Sequence, residues 1–133
     1  MSEEKKIKVV LLEPGKLART AEIGTSIEDL QNAVDGLIEP FYPFEEQVCI
    51  VCNDEGKING MLPNRSVKNK DGVMVDFIFG PAFICDCRGE SFDSLSDEQL
   101  ARYTKMFRYP EHLAKINGQL IGIPFNPQRD YER

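Results

Sequence analysis

In the stretch KIKVVLLEPG, Ile7, Val9 and Leu11 share one face while Val10 and Leu12 share the other. Apolar residues on both faces predict a central strand. Pro14-Gly15 marks a turn, and KLARTAEI resumes the alternation with Leu17, Ala21 and Ile23 on one side, which predicts a second strand hairpinned to the first. The period then changes to that of a helix. In GTSIEDLQNAVDG, Ile27, Leu30, Ala33, Val34 and Leu37 form one stripe, Thr25 and Glu28 have capping-box spacing, and Gly36 is a natural stop.

LIEPFYPF has strand-like residues broken by Pro40 and Pro43, which suits an edge because proline cannot donate to a ladder. EQVCIVC is a compact strand, and KINGMLPNRSVK is expected to return as another, with a bulge at Gly60. KNKDG turns the chain, and VMVDFIFG and AFICDC are two further strands joined at Gly80-Pro81. A second helix opens at Ser96, with Gln99 as its capping-box partner and Leu95 and Leu100 as a hydrophobic staple. Leu100, Tyr103 and Phe107 form its buried stripe, and Pro110 breaks it after Tyr109. PEHLAKI reads as a further helical turn or two ended by Gly118, QLIGIPF as the last strand, and NPQRDYER as a polar tail.

This order predicts an α+β fold: a mainly antiparallel, β-grasp-like sheet with one early helix and one late helix. No repeat or linker interrupts it, so residues 1–133 are expected to form a single domain, with a core over 7–87 and a helical and strand extension over 88–133.

Length and charge narrow the function. A chain of 133 residues can bury a core without staples. Its net charge of −6 is repelled by a phosphate backbone, so nucleic acid is not an expected partner. No apolar run approaches the length of a bilayer span, so neither is a membrane. The start MSEEKKIKVV carries acids where a signal peptide needs an apolar core, so the expected location is cytoplasmic.

Four blocks, VVLLEPGK, TSIEDLQNAVDGLIEPFYPF, CNDEGKINGMLPNR and DFIFGPAFIC, in this order resemble the domain of unknown function 3846 family, over about Lys8 to Cys87. LSDEQLARYTKMFRYPE resembles segments that accompany this domain in similar small proteins. The resemblance implies small cytosolic proteins of phages, plasmids and conjugative elements, encoded among antirestriction and other accessory genes. It implies no reaction, ligand or site residue.

The third block invites three chemical readings. A calcium loop needs oxygen ligands at its first, third and fifth positions and glycine at the sixth. Gly56 as the sixth puts Val51 first, and Gly60 puts Lys57 third, so both registers fail. A phosphate loop needs Gly-Lys-Ser/Thr before a helix, and Gly56-Lys57-Ile58 lacks it. What is left is a hairpin with turn residues Asn53 to Gly56. Its far arm is chemically richer, because Asn64 and Arg65 set an amide beside a guanidinium, a fork suited to carboxylate or phosphate.

Asp76 lies in an apolar strand and needs a partner, either Arg65 or a lysine. Asn59, Asn64, Arg65 and Asp76 are therefore the candidate ligand-binding residues. Cys49 and Cys52 sit on opposite faces of a strand, where they serve as small buried hydrophobes rather than a zinc knuckle or redox pair. Cys85 and Cys87 share a face, and a tight turn at Gly80-Pro81 would bring Asp76 opposite Cys85, still short of a fourth zinc ligand. His112, the only histidine, is expected at a helix start, in solvent or as a cap. No catalytic residue, metal or cofactor is expected. The expected function is non-enzymatic: an accessory protein of a mobile element or phage that binds a host or element protein, in an interaction or counter-defence role. The alternatives are a binder of a small anionic, nucleotide-like ligand and, third, a small hydrolase built on Asp76 or the thiols.

Overall fold

The protein is described over residues 5–128 by a computed structural model. The first residues of the charged start and the end of the polar tail, 1–4 and 129–133, lie outside the described residues. The fold is α+β, with antiparallel strand pairs throughout the described residues, one early helix and one late helix.

The main sheet has five strands. β1 (Lys6–Leu12) pairs with β2 (Arg19–Gly24) on one side and β7 (Ala82–Asp86) on the other, as its two apolar faces require. β7 pairs with β4 (Val48–Asn53), and β3 (Ile38–Phe41), which carries Pro40, closes the edge. Strand alternation divides the core into two layers. Ile7, Val9, Cys49, Val51, Phe83 and Cys85 face α1 (Ile27–Val34), which buries Leu30 and Val34 against them. Val10, Leu12, Val48, Ile50 and Ile84 face α2 (Asp97–Met106), which adds Leu100, Tyr103 and, at its C-cap, Phe107.

Both helices start with a side-chain cap. Ser96 and Gln99 form the reciprocal capping box of α2, flanked by the buried Leu95 and Leu100. At α1 the cap is Ser26, which accepts from Asp29 N, and not Thr25, whose hydroxyl donates to the Lys5 carbonyl. With the helix starting one residue later, Ile27 at one end and Leu37 beyond the other stand exposed. α1 ends with Asp35 at φ 59° and Gly36 at φ 154°.

Two further pairs depart from the expected order. β5 (Pro63–Lys68) does not return along β4; it pairs with β6 (Met74–Phe79) around the turn Asn69–Gly72, forming a separate sheet over the α2 side of the core. The bulges lie at Asn64 in β5 and at Val75 in β6, and not at Gly60. The link from β6 to β7 at Gly80-Pro81 is a crossing between sheets, not a hairpin, so Asp76 stands opposite Val67 rather than Cys85.

PEHLAKI is not helical. β8 (Glu111–Ile116) and β9 (Gln119–Pro124) form a hairpin, packed on β5. Asn117 at φ 51° and Gly118 at φ 80° supply the two positive-φ residues of a tight hairpin turn. Among the described residues no helix is long and apolar enough to cross a membrane.

Candidate functional site

Asn64 and Arg65 are adjacent in a strand, yet both are fully buried. Regular alternation would turn one of them outward. The bulge resolves this: Pro63 pairs with Phe79 and Arg65 with Ile78, leaving Asn64 as the extra residue, and both side chains enter the interior. Asn64 Nδ2 donates to the carbonyls of Leu12 (2.9 Å) and Gly80 (2.8 Å). Arg65 Nε donates to Phe107 O at 2.6 Å, Nη2 to Lys16 O at 2.6 Å and Arg108 O at 3.3 Å, and Nη1 to Glu13 O at 3.2 Å and to Asn64 Oδ1.

The guanidinium is thus spent on main-chain carbonyls of two segments, the turn after β1 and the C-terminal end of α2, where a cation also meets the negative end of the helix dipole. Burial lowers its pKa to about 10, against the opposing pull of Glu111 and Glu13. With its donors consumed and its surface gone, this pair is a clamp joining β5 to α2. It does not balance Asp76.

Asp76 pairs with Lys57 at 2.9 Å, in solvent, and accepts from Phe77 N. Asn59 is exposed in the turn that follows β4, apart from Asn64 and Arg65. In that turn Asn53, not a hairpin residue, caps α1: its Nδ2 donates to Val34 O and Asp35 O, and its Oδ1 accepts from Glu55 N. A cavity of 230 Å³ lies between this turn and β6, bordered by the Lys57–Asp76 pair.

Cys49 and Cys85 are cross-strand neighbours in the core with Sγ atoms 3.7 Å apart, and Cys52 is on the opposite face, donating toward Glu39 O. All four cysteines are free thiols. Contact with Cys49 and burial push the Cys85 thiol up, and burial pushes Cys52 to about 11. Among the described residues no group of three histidine, cysteine, aspartate or glutamate side chains is placed to hold a metal ion. His112 is on β8, where its ring stacks on Phe125 at 4.0 Å between centroids; it caps no helix.

A larger concavity lies elsewhere, a groove of 680 Å³ between α2, the segment joining β3 to β4, and the β5–β6 hairpin. Its aromatic lining follows from helical spacing: Tyr103 and Phe107 are four apart on α2, and Phe44 packs on both, with centroids at 4.8 and 6.2 Å. Met106, exposed, forms part of the rim. The Tyr103 hydroxyl donates to Glu46 Oε1, which also accepts from Arg102 Nη2 at 2.9 Å, while Arg102 Nε donates to Glu98 at 2.7 Å. The Tyr103 hydroxyl bond, with Arg102 second, holds the Glu46 carboxyl below its ordinary value, and burial, aided by Glu46, raises the Tyr103 hydroxyl. The ring is therefore fixed from both ends.

The opposite wall is β5 and the start of β8. Ser66 N donates to Glu111 Oε1 at 3.1 Å. Ser66 itself is 5% exposed, and its Oγ has no hydrogen-bond partner among the described residues. Nearly all buried polar side-chain atoms have a partner; Asp29 Oδ2 and Thr104 Oγ1 are also without one among the described residues, and Ser66 Oγ belongs to a residue lining this groove. Lys68 and Lys70 stand on the same hairpin; Lys70 reaches Glu45 at 3.5 Å, and Lys68 forms no ion pair among the described residues. Ser66, Phe44 and Glu111 had no signal in the sequence, whereas Tyr103 and Phe107 did, as core residues.

A family model described as "Domain of unknown function (DUF3846)" matches residues 7–108, from β1 through the end of α2. No curated protein and no solved structure matches the chain.

Proposed function

Because the chain belongs to the domain of unknown function 3846 family, and the matched residues 7–108 contain every groove-lining residue but Glu111, we propose that the protein is a non-enzymatic binding protein whose groove between α2 and β5 holds a small ligand. The observation that carries this reading is the orphan Ser66 hydroxyl on the wall of an aromatic-lined groove. The volume is within the usual range of ligand pockets, roughly 300–1,000 Å³, and apolar rings with a few convergent polar groups are their usual lining. The four residues first singled out are not at this groove: Asn64 and Arg65 hold it together from behind, Asp76 is on β6 paired with Lys57, and Asn59 is in the turn after β4. The test is a thermal-shift screen of small metabolites against the parent and Met106→Trp, a change at the exposed rim that fills the groove. Ligands that raise the melting temperature of the parent and not of the variant support the reading; equal shifts in both overturn it.

A second reading rests on a different surface. Among the described residues β9 pairs only with β8, and no charged residue stands between Gln119 and Pro124. On the outward face of this hairpin Ile116, Ile121 and Ile123 are 46%, 37% and 43% exposed. An uncharged open edge beside apolar side chains suits an extended segment of another protein, added as a third strand. In this reading the protein is an accessory or counter-defence factor, and a host protein is the partner. Affinity capture with the parent and with Ile121→Glu/Ile123→Glu tests it: a partner lost only from the variant supports it, and identical capture removes it.

A further inference from the structure

The geometry points to a planar heteroaromatic ring with an N–H donor beside a hydrogen-bond acceptor, the edge that nucleobases present, as the occupant of the groove. This inference rests on the reading of the groove as a ligand site. Its basis is the pairing of Ser66 with Glu111. The Ser66 N–H is already given to Glu111 Oε1 at 3.1 Å, so Ser66 and the Glu111 carboxylate stand together on one wall, with Ser66 Oγ buried and unbonded. An ionised carboxylate only accepts, and a hydroxyl without an acceptor has a proton to give. The complementary edge therefore offers an acceptor to Ser66 Oγ and an N–H to Glu111.

The facing lining selects a flat body. Phe44, half-buried, presents a ring whose position is set by the buried Tyr103 behind it, itself held by the Tyr103–Glu46 bond. That bond also occupies the Tyr103 hydroxyl, and with Tyr103 1% exposed its contribution is to back the Phe44 ring. Aromatic side chains hold nucleobases by stacking, which tolerates any base. At the mouth, Lys68 and Lys70 on the β5–β6 hairpin offer charge to a phosphate, whereas Glu45 competes for Lys70. The base edge is thus common to two sources, a free nucleoside and a nucleotide, and Lys68 separates them.

The experiment is a titration of the isotope-labelled full chain with adenosine, cytidine, uridine, adenosine monophosphate and, as a ring lacking the paired edge, indole, followed by amide shifts and by calorimetry. The expected result is that at least one nucleoside moves the amides of Ser66, Tyr103 and Met106 and binds more tightly than indole. Ser66→Ala should weaken that nucleoside roughly five- to tenfold, the worth of one hydrogen bond. Because Ser66 Oγ makes no bond in the free protein, the melting temperature of this variant should match the parent. Lys68→Ala should weaken the monophosphate alone if the nucleotide is the source, and neither compound if the free nucleoside is. Indole binding as tightly as every nucleoside, or a Ser66→Ala variant with unchanged nucleoside affinity, overturns the base-edge inference and leaves the groove reading standing. Groove amides that none of these rings moves overturn both.

Discussion

Replacing Arg65 tests the architecture behind the groove. Its side chain makes five donor contacts, four to main-chain carbonyls of Glu13, Lys16, Phe107 and Arg108 and one to Asn64 Oδ1. Hydrogen bonds involving a charged group contribute about 1.5–3 kcal/mol each, but they share one guanidinium and do not add. Releasing the cation from burial returns several kcal/mol of desolvation. The usual outcome of breaking such a buried network is a loss of about 3–5 kcal/mol, and carbonyls, unlike a carboxylate partner, cannot be mutated away.

Arg65→Ala should therefore cost ~3–5 kcal/mol, a large share of the roughly 5–15 kcal/mol of a typical domain, and lower the melting temperature by roughly 10–20 °C. Arg65→Met, which keeps the stem, should cost nearly as much. Arg65→Lys has three donors in place of a planar five-donor fork, and should cost about half. Urea unfolding followed by far-ultraviolet circular dichroism is the assay, since the chain has no tryptophan. Adding Asp76→Asn should rescue nothing, with the two changes additive within about 0.5 kcal/mol, because Asp76 pairs with Lys57 in solvent. Met and Lys variants as stable as the parent, or a rescue by Asp76→Asn, would refute the clamp.

Other outcomes follow from the same contacts. Phe107→Ala removes a buried ring that packs on Phe44, and should cost ~3–5 kcal/mol in the same assay; an unchanged midpoint would mean that the α2 side of the core collapses without it. Glu46 has a folded pKa below its ordinary 4.5, so its contribution to stability is present above that value and is lost as pH falls through the lowered one. Glu46→Gln should flatten this acid-side loss in melts taken between about pH 5 and 2, and an identical profile would contradict the assignment. In the native protein an aromatic disulfide reagent should titrate Cys52 and Cys87 before Cys49 and Cys85, which are fully buried; four thiols reacting at one rate would contradict the burial.

Where the code is local, the sequence was legible. Both faces of β1, the Pro40 edge, the Ser96–Gln99 capping box and the Leu100–Tyr103–Phe107 stripe all report their own surroundings. Which strand pairs with which is not local, and that is where the reading departed. β5 has the alternation of a strand but nothing in it distinguishes β4 from β6 as a partner. The β8–β9 hairpin does carry a local signal: Asn117-Gly118 between two apolar runs outranks a helical reading of the seven residues PEHLAKI.

Arg65 looked like a ligand contact because a polar pair after proline carries no sign of the bulge that turns both residues inward. Its main-chain acceptors lie 42 to 52 residues away in sequence. The groove was invisible for the same reason. Phe44, Ser66, Tyr103 and Glu111 come from four segments, and only the folded chain brings them to one groove.

The account's central claim, that the protein acts by binding at this groove, is tested most directly by soaking crystals of the full chain with a collection of small ring fragments. The account predicts bound rings concentrated over Phe44, with a polar atom within hydrogen-bond distance of Ser66 Oγ. Fragments gathered instead in the cavity beside Lys57 and Asp76, or on the isoleucine face of the β8–β9 hairpin, with the groove left empty, would contradict it.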